Sequence, residues 1–367
     1  MNWRFWRKKD SKKKKSATRE WVDAILFAVI AATLIRTFFI EAYTIPTPSM
    51  ERSLLVGDFL FVSKVNYGAR MPITPVSFPF AHHTMPILGT KAYWDGIKLP
   101  YYRLPGFQEV KRGDVVVFNY PMEADSPYYR PVDKRENYIK RCQGEPGDTL
   151  AILNAQVYVN GKMAPNPPEG QTDYNVSTTS GGEYNPDVYK ELHVSDYNGN
   201  GQLTMTADAA KKLRTYPGIK AVTPNIAPRD FEYPFEELAM YPHDKRYKWN
   251  VDNYGPIIIP KKGWTVKLDS LNIPIYERVI RVYEGNQVQV SSNEITINGK
   301  KTDSYTFKMN YYWMMGDNRH DSADSRYWGF VPEDHIVGKA LFVWMSWDSN
   351  ESFFSKIRWS RLFRGVK

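Results

Sequence analysis

Three short stretches of this 367-residue chain carry residue types and spacings beyond what strands and turns need. Residues 44–50 read Thr-Ile-Pro-Thr-Pro-Ser-Met, residues 138–148 hold Lys140, Arg141 and Cys142, and residues 316–326 read Gly-Asp-Asn-Arg-His-Asp-Ser-Ala-Asp-Ser-Arg. Six histidines leave a Ser-His-Asp triad possible by count, but no Gly-x-Ser-x-Gly elbow presents a serine. Cys142 is the single cysteine, which excludes an internal disulfide framework and a cysteine-only metal cluster. Two residues past a lysine in a strand, it reads as a small buried hydrophobe. The other nucleophilic option is a serine with a lysine. A lysine is a general base only when neutral, and burial among apolar groups disfavours its ammonium form. Lys140 follows Tyr138 and Ile139, a suitable setting. On residue type alone, Lys140 reads equally well as a surface lysine and Ser49 as a turn serine between Pro48 and Met50. No metal site is expected: His82 and His83 are adjacent, would diverge in a strand, and lack acidic or cysteine neighbours.

The elements that must position these residues are mainly strands. Residues 57–65, 114–118, 149–159 and 340–344 are short runs of β-branched or aromatic residues bounded by Gly, Pro or Asp. Helices are expected at 207–215, capped by Thr206, and at 274–284, with Ile275, Val279 and Val282 on one face and Gly285 beyond the end. Residues 147–162 and 285–300 are similar sixteen-residue segments, each reading as two strands and an Asn-Gly turn. A duplicated hairpin and chance reuse of the turn both account for this. Residues 165–234 are rich in Pro, Gly, Asn, Ser and Tyr and read as a loopy insertion. Residues 68–110 form another irregular stretch, whose aromatics either cover the core or face a membrane.

The composition, 42% hydrophobic and 24% charged, is that of a folded protein and excludes global disorder. Of the net charge of +9, residues 1–19 carry +8, from nine Lys/Arg and one Asp. A basic leader on a nearly neutral body suggests an orientation signal rather than a nucleic-acid surface. Residues 21–40 come next, with only Asp23 and Arg36 charged, and twenty helical residues span about 30 Å, the thickness of a bilayer core. No small-residue cleavage site is found after them, so a retained single-span anchor is expected, with the leader cytoplasmic and the rest across the membrane. Ser49 lies nine residues past this span, within about 30 Å of it even if the chain is extended. The basic end, residues 356–367, reads either as a membrane-touching segment or as a solvated tail.

The anchor ending LIRTFFIEAYTIP, then PSM, GDFLFVSK, YIKRCQGEPGD and GDNRHDSADSRYWGFVPEDHIVGKA, in that order, resembles the bacterial type I signal peptidases. Those are membrane-anchored serine proteases that cut signal peptides from exported preproteins with a Ser-Lys dyad and no cofactor. The resemblance covers the anchor and roughly half of the chain beyond it. It implies Ser49 as nucleophile, Lys140 as general base, Thr47 with the Ser49 N–H as oxyanion donors, and Ser322 as the residue orienting the lysine. It implies Arg141, Asp317, Asp324 and Arg326 as supporting charges, and Tyr43, Ile45, Pro46, Met50, Leu54, Tyr138 and Ile139 as the lining of shallow pockets for small side chains. The fold implied is mainly β: one transmembrane helix, then a twisted antiparallel β catalytic domain with a large β-rich, loopy insertion. The expected organisation is a basic tail at 1–20, anchor at 21–40, catalytic core at 41–164 and 304–348, inserted region at 165–303 and basic tail at 349–367. The location implied is the bacterial inner membrane, with the catalytic domain on the periplasmic side, exported preproteins and the bilayer as partners, and no nucleic acid.

Two departures stand out. Arg52 replaces the family's usual Pro, which implies a less rigid loop after the nucleophile, and His320 replaces an Asp and reads as a tolerated surface change or, as the alternative, a pH-sensing residue. An inactive, membrane-tethered homologue acting as a binding protein would keep the fold without an intact dyad. A Ser-Lys self-cleaving regulator would need a DNA-reading module, for which the residues before Ser49 leave no room.

Overall fold

The structure, a computed structural model, describes residues 16–181, 184–196, 202–229, 231, 240–291, 294–349, 351–352 and 355–367. Most of the basic leader, at residues 1–15, lies outside the described residues. Ser16 opens the first helix, α1 (Ala17–Phe38), by accepting a hydrogen bond from the Arg19 N–H. The helix begins before residue 21 because of this cap, and it stops before Ile40 because the chain turns extended there. None of its residues is buried, and Trp21 and Phe27 are more than 70% exposed. It is the one described helix long and apolar enough to cross a membrane.

A single residue, Phe39, separates α1 from the first strand, β1 (Ile40–Thr44). Much of the stretch between the apolar segment and Ser49 is therefore strand. The main sheet continues with β2 (Asp58–Ser63), β3 (Val115–Asn119), β4 (Asn137–Gly144), β5 (Tyr311–Met315), β6 (Val331–Pro332), β7 (Ile336–Ser346) and β8 (Arg364–Gly365). Its antiparallel order is β1-β2-β7-β3-β4-β5-β6, with β8 also on β7. Register shifts between Phe59 and Leu60, Phe61 and Val62, and Trp313 and Met314 curl it, as bulges do. The run Val-Val-Val-Phe makes β3 the centre. Val115 and Val117 pack with Met50, Leu54 and Leu60, while Val116 and Phe118 pack on the opposite face with Cys142, Met314 and Trp328.

Between β4 and β5 the chain builds further layers. Strands Thr149–Leu153, Gln156–Val159, Lys162–Met163 and Tyr254–Ile258 form one small sheet. It shares a core with the main sheet, since Leu150, Ile152 and Tyr276 cluster with Trp313 and Phe330. A second sheet, from Gln171–Thr178, Ser195–Asp196, Gln202–Thr206 and Ile219–Pro224, carries helix Ala207–Leu213, whose first turn Thr206 caps. Helix Ile273–Arg278 runs on as a wider turn to Tyr283, with Ile275 and Val279 buried and Val282 half-buried. In the two similar sixteen-residue segments the described strands and Asn-Gly turns fold alike. Asn160 and Asn298 both take φ 52, each is followed by a positive-φ glycine, and their side chains accept from the N–H of Thr149 and Gln287 at 2.9 Å.

Residues 355–367 pack on the main sheet rather than forming a solvated tail, and they leave Trp359 and Phe363 exposed. Arg361 is buried in an ion pair with Asp58, Arg358 pairs with Asp348 at 2.8 Å, and Arg364 lies in β8. His82 and His83 do not diverge, because they sit in a bend rather than a strand, with rings 5.5 Å apart edge to face.

Candidate active site

Ser49 is the middle residue of a tight 3-10 turn, Pro48–Met50. Proline fixes the backbone entering the turn, and Thr47 before it is held extended, as a residue preceding proline prefers. Met50 and Leu54, both wholly buried, set the turn into the core cluster beneath β3. An N–H as early in a turn as that of Ser49 has no acceptor within it and stays available.

Lys140 projects from β4, whose neighbours β3 and β5 fix it on both sides. Its Nζ donates to Ser49 Oγ at 2.6 Å. Lys140 is 4% exposed and Ser49 8%. The ammonium lies 5.7 Å from the centre of the Tyr138 ring, and no carboxylate among the described residues pairs with it. Burial dominates its titration and pushes the pKa down to about 8, with Asp324, Asp317 and Asp321 pulling partly the other way.

Two of those carboxylates are committed elsewhere. Asp317 accepts both Nε and Nη2 of Arg141, at 2.8 and 2.6 Å, and the Ser53 hydroxyl at 2.5 Å. Asp324 accepts Arg326 Nε and Nη2 at 2.9 and 2.8 Å and the Gly316 N–H at 3.1 Å. The arginines are anchored in turn: Arg141 donates to the Gly113 carbonyl and Arg326 to those of Arg319 and Val251. These paired forks are rigid supports under the loop that comes after β5.

That loop meets the serine turn directly. The Asn318 N–H donates to the Ser49 carbonyl at 3.1 Å, and Asn318 Nδ2 to that of Pro48 at 3.3 Å. Gly316 makes the approach possible, since a Cβ there would lie 2.2 Å from Ser322 Oγ and 2.5 Å from Ser49 O. The Thr47 hydroxyl is 3.4 Å from Ser49 Oγ on the exposed side. Ser322 is buried beside the pair, and its hydroxyl donates to the Ala323 carbonyl at 3.4 Å rather than bonding Lys140.

Of the residues implied to line pockets, Pro46 is exposed, while Tyr43, Tyr138 and Ile139 are half-buried. Ile45, Met50 and Leu54 belong to the core and shape the site from behind. Tyr138 stacks flat on Tyr120 at 4.3 Å, and the Tyr43 hydroxyl donates to Glu41.

Two departures take definite form. His320 is no surface residue: its side chain is 12% exposed, Nδ1 accepts from the Asp173 N–H at 3.0 Å, and Nε2 lies 2.9 Å from Asp252 Oδ1. It ties the site loop to strand Gln171–Thr178, because that strand passes beside the loop, where Gln171 bridges Asn318. Arg52 has φ 70, which proline cannot adopt, and pairs with Glu169 at 3.1 Å. The roles of Ser53, Gly316 and Asn318 in holding the site are not apparent from the sequence. The only signal there is their closeness to Ser49 and Asp317 along the chain.

A model of the family described as signal peptidase, peptidase S26 matches residues 18–210 and 305–347, well over half of the chain. The chain belongs to the signal peptidase family, peptidase S26. It is therefore a serine-type endopeptidase. The S26 match takes in the serine turn, β4 and the loop after β5. Similar relatives bear the name Signal peptidase I. One from Pseudomonas aeruginosa is 26% identical over 348 residues, covering 91% of this chain and 75% of its own. One from Rickettsia massiliae is 24% identical over 369 residues, covering 96% and 94%. One from Buchnera aphidicola subsp. Baizongia pistaciae is 25% identical over 317 residues, covering 86% and 73%.

Proposed function

We propose that this S26 peptidase removes signal peptides from exported preproteins at a membrane surface, with Ser49 as nucleophile and neutral Lys140 as general base. The observation that carries this reading is the 2.6 Å contact between a buried lysine and a buried serine hydroxyl, with no histidine involved. In its neutral form Lys140 takes the proton as Ser49 Oγ attacks the scissile carbonyl. The oxyanion is met by the Ser49 N–H and the Thr47 hydroxyl. Lys140 then protonates the departing amine, leaving an acyl-enzyme, and afterwards takes a proton from the water that hydrolyses it. The family resemblance makes Ser322, buried beside the serine turn, the residue that orients the ammonium during these transfers. The forks of Arg141 with Asp317 and Arg326 with Asp324 hold the loop in register with the serine turn.

The apolar α1 supports an anchor in the bacterial inner membrane, and the basic leader supports a cytoplasmic N-terminus with the catalytic sheet on the periplasmic side. The half-buried Tyr43, Tyr138 and Ile139, backed by Ile45, Met50 and Leu54, suit small side chains before the cut. Ser49→Ala and Lys140→Ala should each abolish cleavage of a signal-peptide-bearing preprotein by the detergent-solubilised protein, with the circular dichroism spectrum unchanged. Normal processing by folded Lys140→Ala would sink the dyad.

A further inference from the structure

Where α1 meets the catalytic sheet, the surface folds into a cavity of about 260 Å³, separate from Ser49 and Lys140. The last turns of α1 contribute Thr33 and Arg36, β1 contributes Glu41, Lys64 follows directly on β2, and the loop bearing Phe78 and Phe80 closes the outer side. Four cations line it, Arg36, Lys64, Arg70 and Lys134, against two carboxylates, Glu41 and Asp133.

The pairing leaves two cations without a carboxylate, Arg70 and Lys134, and of these only Arg70 has hydrogen-bond acceptors among the described residues. Glu41 accepts Arg36 Nε at 2.5 Å, Lys64 Nζ at 2.8 Å and the Tyr43 hydroxyl at 2.7 Å. Asp133 accepts the Thr74 N–H and hydroxyl at 2.8 and 2.9 Å. Arg70 donates to the Asp334 carbonyl and Asn119 Oδ1 at 2.5 and 2.7 Å. Lys134 is 8% exposed and, among the described residues, finds neither a carboxylate nor a hydrogen-bond acceptor. The Tyr93 ring lies 5.8 Å from its ammonium. Burial disfavours the charged form, the neighbouring Asp133 partly offsets this, and Arg70 and Arg36 disfavour it further. Its ammonium opens onto a cavity that already has a positive surplus, a setting that attracts an anion.

The surroundings say what kind of anion fits. Arg36 sits in the last turn of α1, the level at which a membrane-crossing helix reaches the head groups. Phe78 and Phe80 are each 53% exposed at the cavity's lip, apolar rings of the sort found at that depth. We propose that this cavity binds the phosphate of an anionic glycerophospholipid, with Lys134 and Lys64 donating to its oxygens and Phe78 and Phe80 against the lipid's apolar part. The inference rests on the reading of α1 as a membrane span.

The test uses the full chain in detergent, loaded with phosphatidylglycerol or phosphatidylcholine and examined by native mass spectrometry. Wild type should retain one phosphatidylglycerol that Lys134→Gln binds about tenfold more weakly, as expected for loss of one charge-assisted contact. Lys134→Arg should retain it, and phosphatidylcholine should bind weakly to all three. Phosphatidylglycerol should also raise the melting temperature of wild type and not of Lys134→Gln. Equal retention by Lys134→Gln, or loss in Lys134→Arg as well, would overturn the site. So would inorganic phosphate competing at the concentration of the lipid, which would mark a free-phosphate site. Alkaline carbonate separates the two readings: wild type that leaves native membranes overturns the anchor, whereas membrane-retained protein with equal lipid binding overturns the head-group site alone.

Discussion

On the proposed mechanism Lys140 accepts the Ser49 proton only when neutral, and burial brings its pKa down to about 8. Below that value each pH unit removes about tenfold of the neutral form, so log(kcat/KM) should climb with unit slope up to about pH 8 and then level. A profile that levels near pH 6 to 7 would instead point to a histidine base. Stability obeys the same sign. The folded pKa lies below the ordinary lysine value of 10.5, so this lysine favours folding above 10.5 and loses that contribution as pH falls through about 8. The arginine forks obey a different rule. Asp317→Ala leaves the Arg141 guanidinium buried without its carboxylate, and such removals cost about 3–5 kcal/mol. Urea unfolding should show a loss of that size. Asp317→Leu combined with Arg141→Met should recover much of it without restoring activity, because the loop beside Ser49 would have lost its fixed position.

At the scale of elements, the site depends on one close approach between two segments far apart in sequence. Gly316→Ala would place a Cβ against the Ser49 carbonyl and the Ser322 hydroxyl. Since a backbone carbonyl cannot step aside, the serine turn must shift. The expected result is a fall of about 10²-fold in kcat with KM little changed, a size typical of small misplacements of a reacting group. Single-turnover kinetics on a peptide substrate would separate these terms. Much at this scale was legible in the sequence. The β-branched runs became β2, β3 and β7, Thr206 capped its helix, and the Asn-Gly turns formed at both repeats, because each depends on neighbours a few residues away. The proximity of Ser49 to Lys140 came from the resemblance, since composition left both residues with bland readings. What stayed hidden depends on partners distant in sequence. His320 reads as a surface change until strand Gln171–Thr178 lies beside it, and Arg361 reads as part of a loose tail until Asp58 is found beneath it.

The whole molecule is organised around a junction rather than a tether. Phe39 alone separates the proposed membrane span from β1, and that strand is paired along its full length with β2. The junction is further tied by Glu41, which joins Arg36 of the helix to Lys64 just past β2. Ser49 comes five residues after β1, so on the proposed reading of α1 as a membrane span its height above the bilayer is set by the sheet and not by a flexible linker. On the proposed reading, this geometry matters for substrates whose cut site is itself held at the membrane and not for short soluble peptides. Inserting six Gly/Ser residues after Phe39 adds about 20 Å of reach and frees the orientation of the sheet. Cleavage of a membrane-embedded preprotein in proteoliposomes should then fall at least about tenfold, while cleavage of a soluble peptide in detergent stays within about twofold, since the insertion touches neither Ser49 nor its supports. Equal loss on both substrates would mean that the insertion had disturbed β1 itself. Equal activity on both would mean that the serine's height is set by some other contact between the catalytic sheet and the bilayer.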